Sequence, residues 1–181
     1  MAALLYASRM ADCPYEIVLV ASNKCEAEGL ALAEAEGVKT VACSSKGLSR
    51  DDHDKAMELA VLSAGADYIL LAGYMRILGS SFVSRWTGKI INIHPSLLPK
   101  YKGLETHRRA IEDGEKFGGA TVHIVTAELD AGEILDQVSV VIAKDDNPET
   151  LAKKVKIAEH QLYPRALTSF LAQHKLAEDK Q

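Results

Sequence analysis

The sequence predicts an α/β fold, an open, mainly parallel, twisted sheet with helices on both faces. Two observations carry this. Continuous apolar runs of strand length recur along the chain, as expected for strands buried on both sides. Between them lie Ala/Leu/Glu-rich stretches of helical length, the alternation that parallel crossovers require. A chain of 181 residues suits one domain. No repeat, low-complexity stretch or Pro/Gly-rich linker divides residues 1–181, so they are read as a single domain.

Taken in order, the first ten residues fit an amphipathic helix. Glu16–Ser22 (EIVLVAS) is the first buried strand. Cys25–Glu36 reads as a helix ending at Gly37, and Val38–Cys43 as a short strand. Asp51–Ala64 is helical in pattern, with Asp51 and Asp52 at its positive end. Asp67–Gly73 (DYILLAG) and Lys89–His94 (KIINIH) are two further buried strands. After Gly118 the pattern changes. Thr121–Val125 and Ile134–Ile142 are β-branched runs around a turn-rich segment, Glu128–Glu133, which predicts a late antiparallel addition. Pro148–Gln173 reads as a long terminal helix with Asn147 as its N-cap. Pro164 is expected to break or bend it.

Composition excludes several function classes. Net charge is −4, so the basic footprint of a nucleic-acid binder is absent. No apolar run reaches the roughly 18 residues that span a bilayer, and no basic n-region marks a secretory leader. Three cysteines, Cys13, Cys25 and Cys43, lack CxxC spacing and read as free thiols of a reducing cytoplasm. Six histidines form no H-E-x-x-H or His/Cys cluster, so no metal is expected. Dinucleotide, P-loop and nucleophile-elbow motifs are absent.

The informative segment is Lys89–His107, KIINIHPSLLPKYKGLETH. Its strand delivers Asn92 and His94 two residues apart, hence on one face of the sheet. Pro95 ends the pairing, and Pro99 with Gly103 favours a loop. Polar groups at the C-terminal end of a buried strand lie where open α/β sheets bind ligands. Taken alone they also read as side chains satisfying backbone groups at a strand end. The turn Glu128-Leu129-Asp130-Ala131-Gly132 is a second candidate, weak by itself because acidic turns are usually solvated. Its interest is a partnership with His94, since a carboxylate beside an imidazole favours the imidazolium that a general acid needs.

Asn92-Ile93-His94-Pro95-Ser96-Leu97-Leu98-Pro99, then Gly103-Leu104-Glu105-Thr106-His107 and Leu129-Asp130-Ala131-Gly132, resemble the folate-dependent formyltransferases. Leu71-Ala72-Gly73-Tyr74-Met75-Arg76-Ile77-Leu78 and Ala158-Glu159-His160 strengthen the likeness, which runs from about Glu16 to the last helix. It is greatest to the branch that acts on glycinamide ribonucleotide in purine biosynthesis.

The resemblance implies a Rossmann-like formyltransferase fold and transfer of formyl from the co-substrate 10-formyltetrahydrofolate to the amine of glycinamide ribonucleotide. It implies Asn92, His94 and Asp130 as catalytic groups. It implies a folate site of Arg50, Met75, Arg76, Ile77, Leu78, Asn92, Thr126, Ala127, Glu128, Leu129 and Asp130. Lys156 and Glu159 match positions facing the ribonucleotide. Read without the family, Arg50 is an exposed loop cation, and Met75, Ile77 and Leu78 are core packing. The partners implied are these two small molecules, with no nucleic acid and no membrane; monomer and homodimer both stay open.

In relatives a first strand and a Gly/Ser/Asn-rich phosphate loop precede the helix with which this sequence opens. The expectation is a fold lacking that strand, truncation being favoured over a natural variant. Neighbouring activities remain as alternatives. A methionyl-tRNA formyltransferase would carry a further domain and basic surface. A formyltetrahydrofolate hydrolase would replace the amine by water, and a truncated folate-binding protein would not transfer formyl.

Overall fold

A computed structural model describes residues 1–178. It comprises two compact units, Met1–Ile90 and Ile91–Gln181.

The first unit contains α1 (Ala2–Ala7), β1 (Val20–Ser22), α2 (Glu28–Ala35), β2 (Thr40–Ala42), α3 (Arg50–Ser63), β3 (Ile69–Leu71) and α4 (Ser80–Arg85). β1 pairs with β2 in parallel, Val20 opposite Thr40. α2 turns Leu30 and Ala33 inward, and the chain leaves it through Gly37 at φ +73°. α3 starts at Ser49, whose Oγ accepts the Asp52 N–H at 3.1 Å. Such a cap contributes about 1 kcal/mol. Buried Asp54 of α3 accepts the Gly79 N–H at 2.7 Å, which ties α3 to the start of α4. Glu58 of α3 adds a bidentate pair to Arg85, at 2.8 and 2.6 Å, and accepts the Trp86 indole N–H at 3.0 Å.

The second unit contains β4 (Ile90–His94) from Ile91 onward, α5 (Thr106–Glu112), β5 (Phe117–Ile124), β6 (Ile134–Val141) and α6 (Pro148–Glu178). β5 lies antiparallel to β4 and to β6. α6 is amphipathic: Leu151, Val155, Leu162, Ala166 and Leu167 fall on its buried face. Tyr163 donates its hydroxyl to the Ile91 carbonyl at 2.8 Å, locking α6 to β4. Asn147 caps α6, its Oδ1 accepting the Thr150 N–H while Thr150 Oγ1 accepts the Asn147 N–H, both at 2.9 Å.

The mixed α/β class with an open sheet holds. Parallel pairing joins β1 and β2, and the two ladders of β5, to β4 and to β6, are the antiparallel addition expected after Gly118. Three expectations about single elements need correction. β1 is Val20–Ser22 rather than Glu16–Ser22, and β1 and β3 are half-buried instead of enclosed. An apolar run reports affinity for a core, not how many neighbours cover it; among the described residues β1 has β2 as its ladder partner. Pro164 does not break α6. The carbonyl it orphans is that of solvent-exposed His160, and buried Leu162, Tyr163, Ala166 and Leu167 hold the helix on both sides of it. Two short helices, α4 and α5, carry no periodic signal long enough to be foreseen.

Candidate active site

The second unit brings Asn92, His94 and Asp130 together. The β4–β5 register sets Asn92 opposite His123 and His94 opposite Thr121. Beyond Pro95 the chain is pinned to β5 by Thr121. Its Oγ1 donates to the Ser96 carbonyl at 2.7 Å and accepts the Leu98 N–H at 3.1 Å and the Gln137 amide at 2.8 Å. His94 is thereby buried at the root of a fixed loop.

The His94 ring lies between two acceptors. Nε2–H donates to the Tyr101 carbonyl at 2.9 Å, and Nδ1 is 3.4 Å from Asp130 Oδ2. The two donors of an imidazolium would both find partners there. The expected closeness of His94 and Asp130, 36 residues apart in sequence, is therefore met. Asp130 is itself held: Oδ2 accepts the Gly103 N–H at 2.9 Å, and Oδ1 stands 3.7 Å from His123 Nε2. His123 Nε2 in turn is 3.2 Å from Asn92 Nδ2. Asn92 with His123, and His94 with Asp130, thus form two polar pairs that meet where His123 Nε2 and Asp130 Oδ1 stand 3.7 Å apart.

Backbone strain collects around these pairs. Tyr101, Glu105 and Asp130 adopt left-handed φ of 56°, 59° and 47°. Each costs on the order of 1–3 kcal/mol and persists only where its surroundings impose it. At Tyr101 the result aims a carbonyl at His94, and at Asp130 it turns a carboxylate inward from a turn. Gly132 sits so close to the end of β5 that a Cβ would lie 1.8 Å from the Ile124 oxygen.

Burial sets the charge states nearby. It pushes His123 below the ordinary histidine range, against the Ile124 carbonyl bond and the Asp130 charge, which raise it. His107 is lowered as well, first by burial and then by His94. On α6, burial raises Glu159 while Lys156 opposes the shift. The largest effect in each case is loss of water around the ionised form.

The remaining sequence candidates lie as follows. Thr126, Ala127, Glu128 and Leu129 form an exposed flank beside Asp130, with Glu128 3.1 Å from Lys102 Nζ. Lys156 is exposed on α6 and Glu159 half-buried. Arg50 and the Met75–Leu78 segment belong to the first unit, where Arg50 opens α3. Met75 is 75% and Ile77 61% exposed, so core packing does not account for them; Arg76 and Leu78 are half-buried. A cavity of about 340 Å³ under the 95–101 loop, lined by Leu97, Leu98, Tyr101 and Leu151 among others, has none of the three catalytic candidates in its wall. Among the described residues no group of three or more His, Cys, Asp or Glu could hold a metal.

Sequence reasoning missed His123. Its signal was present, because Thr121 and His123 are two polar residues at strand spacing in an otherwise apolar run. The Tyr101 carbonyl and Gly103 N–H have no side-chain signature.

The formyl transferase family profile matches residues 1–167. The chain belongs to that family. It is 40% identical over 152 residues to phosphoribosylglycinamide formyltransferase of Escherichia coli strain K12, covering 83% of this chain and 72% of that protein. It is 46% identical over 153 residues to the trifunctional purine biosynthetic protein adenosine-3 of Gallus gallus. That match takes in 84% of this chain but 15% of the relative, so the chain spans a small part of the trifunctional proteins it matches. The crystal structure of phosphoribosylglycinamide formyltransferase from Brucella melitensis superposes with a TM-score of 0.89 at 47% identity, covering 94% of this chain and 88% of that one. The formyl transferase chain therefore shares the open, mixed α/β architecture of its relatives.

Proposed function

We propose that this formyl transferase moves the formyl group of 10-formyltetrahydrofolate onto the primary amine of glycinamide ribonucleotide, a step of purine biosynthesis. One observation carries the reading: Asn92, His94 and Asp130 converge around the His123 ring, with a carboxylate oxygen of Asp130 3.4 Å from the His94 ring. In the reaction the amine nitrogen attacks the formyl carbon and the carbonyl electron pair moves onto oxygen. Collapse of that oxyanion reforms C=O and breaks the bond to the folate nitrogen. The proton lost by the amine ends on that nitrogen. Asn92 Nδ2–H and His94 are the donors available to the oxyanion. His94 Nε2–H is held by Tyr101 O, so its donation to the substrate requires the ring to leave that carbonyl. Asp130, 3.4 Å from His94 Nδ1, orients the ring and orders the water that relays the proton. No covalent enzyme intermediate is needed.

Arg50 and the Met75–Leu78 segment of the first unit, and separately the Thr126–Asp130 flank of the second, are each read as folate-contacting segments. The exposure of Met75, Ile77 and Leu129 supports this, since flat apolar rings need uncovered apolar partners. Lys156 and Glu159 are assigned to the ribonucleotide. We read residues 1–181 as one functional domain, supported by a family match that runs through both units. A cytoplasmic place is supported by three free cysteines. A homodimer is supported by Leu59 and Leu62, 66% and 58% exposed and one turn apart on α3; light scattering tests it.

The test of function is an assay of the purified chain with both substrates, following the deformylated folate. Formylated ribonucleotide should form in equal amount. Formate release with the ribonucleotide omitted would instead indicate a hydrolase, and folate binding without turnover a non-enzymatic carrier.

A further inference from the structure

We propose that His123 is a positioning residue that fixes the Asn92 amide with its N–H side toward the reacting oxygen. The inference rests on the transfer reaction proposed above, and its geometry comes from three contacts.

The first fixes the tautomer. His123 Nδ1 is 3.0 Å from the Ile124 carbonyl oxygen. A carbonyl only accepts, so Nδ1 carries the proton and donates. The neutral ring then presents a lone pair at Nε2.

The second uses that lone pair. Asn92 Nδ2 stands 3.2 Å from His123 Nε2. An amide nitrogen only donates, so one Asn92 N–H is given to His123. The amide plane is thereby set, with its second N–H free to be given elsewhere. Without an acceptor at Nε2 the amide is free to turn over, exchanging donor for acceptor at the point where negative charge develops.

The third contact excludes the alternative in which a protonated ring faces Asp130. Nε2 is 3.7 Å from Asp130 Oδ1, beyond hydrogen-bond distance, and 0.5 Å farther than from the amide. The charged and titratable groups facing the ring are Asp130 from the acidic turn and His94 from β4. Burial outweighs the Asp130 charge and keeps His123 neutral.

The fold builds this arrangement. A ladder irregularity falls between Val122 and His123, with Val122 opposite Asp136 and His123 opposite Ile134. Such irregularities re-aim side chains next to active sites. Here it falls at the residue that faces Asn92 across the β4–β5 ladder.

Two substitutions separate the two ring nitrogens. His123→Gln reaches far enough to offer an oxygen at the Nε2 position. His123→Asn can still donate to Ile124 O but leaves Asn92 without its acceptor. His123→Asn should lower kcat on the order of 10²-fold, the scale of one lost oxyanion donor, with KM for both substrates changed little. His123→Gln should recover most of that loss. In an Asn92→Ala background, His123→Asn should cost nothing further, because it acts through Asn92. Long-range proton–nitrogen NMR of the parent protein should show Nδ1 protonated and Nε2 bare. An Nε2–H tautomer, full activity in folded His123→Asn, or additive losses in the double variant would each overturn the proposal. A parent chain that binds both substrates without transferring formyl sinks the function reading. The NMR tautomer, together with loss of the ordered Asn92 amide signals in His123→Asn, then still decides the positioning role.

Discussion

Gly132→Ala is the sharpest test of how the acidic turn serves the site. The Ile124 N–H donates to the Glu133 carbonyl at 2.9 Å, which draws the turn tightly against the end of β5. A Cβ on residue 132 would lie 1.8 Å from the Ile124 oxygen and 2.8 Å from its carbon. Real contacts do not fall below 3.0 Å, so this gap has to open from 1.8 to at least 3.0 Å between two backbone segments. Asp130 is two residues away and has little slack, with partners at 2.9, 3.4 and 3.7 Å. Movement of about 1 Å would lose the Gly103 bond and uncouple the carboxylate from His94; misplacement on that scale costs about 10²-fold in rate. The clash also falls on the carbonyl that accepts from His123. Overpacking should cost about 1–3 kcal/mol of stability, or roughly 2–10 °C in Tm. Gly114→Ala is the control. Gly114 has φ +69° with nothing within 4 Å of an added methyl, so strain there should lower Tm and leave kcat alone. Steady-state kinetics and thermal unfolding of both variants are the assay. If Gly132→Ala kept kcat within about threefold and lost no stability, the turn would not be holding Asp130 in the way argued.

Three other outcomes follow from the same geometry. His94→Ala should reduce transfer on the order of 10²–10⁴-fold while folate binding, measured by fluorescence quenching, stays close to the parent's. Asp130→Asn keeps an acceptor for Gly103 but removes the charge between the two histidines. kcat should fall at least about 10²-fold, and His123 should titrate lower still, because the Asp130 charge is one of the effects that raise it. A higher His123 titration point in that variant contradicts the assigned field. Glu159 has its pKa raised by burial. As pH rises past the ordinary carboxylate value the unfolded chain ionises first, so Glu159 destabilises the fold from there upward, the penalty levelling off above the folded value. Glu159→Gln should therefore raise Tm at pH 7 but not at pH 4, while raising KM for the ribonucleotide; an unchanged Tm difference between the two pH values would refute the burial argument.

How much of this was legible in the sequence follows from what each feature depends on. Asn92 and His94 stood out because a strand of apolar residues has no local use for two polar side chains on one face, and Pro95 marks where the strand ends. The antiparallel β5 and β6 were readable from their β-branched runs. Strand length was not: β1 shrinks to Val20–Ser22 because pairing depends on a partner, and Glu16–Leu19 is as apolar as the stretch that pairs. The continuity of α6 through Pro164 was not legible, because the local cost of proline is fixed, while its tolerance depends on packing contributed by β4 and the rest of the second unit through residues such as Tyr163. The site shows the same division. Its charges and donors are side chains and could be named from sequence. The atoms that join them are the Tyr101 and Ile124 carbonyls and the Gly103 N–H, which every residue possesses. The Ile124 carbonyl is set by strand β5, while the Tyr101 carbonyl and the Gly103–Asp130 contact go with left-handed backbone at Tyr101 and Asp130, non-glycine residues for which that conformation is unfavourable. A constellation wired through backbone atoms can be recognised from its side chains, but its working geometry is set by the loops that carry the strain.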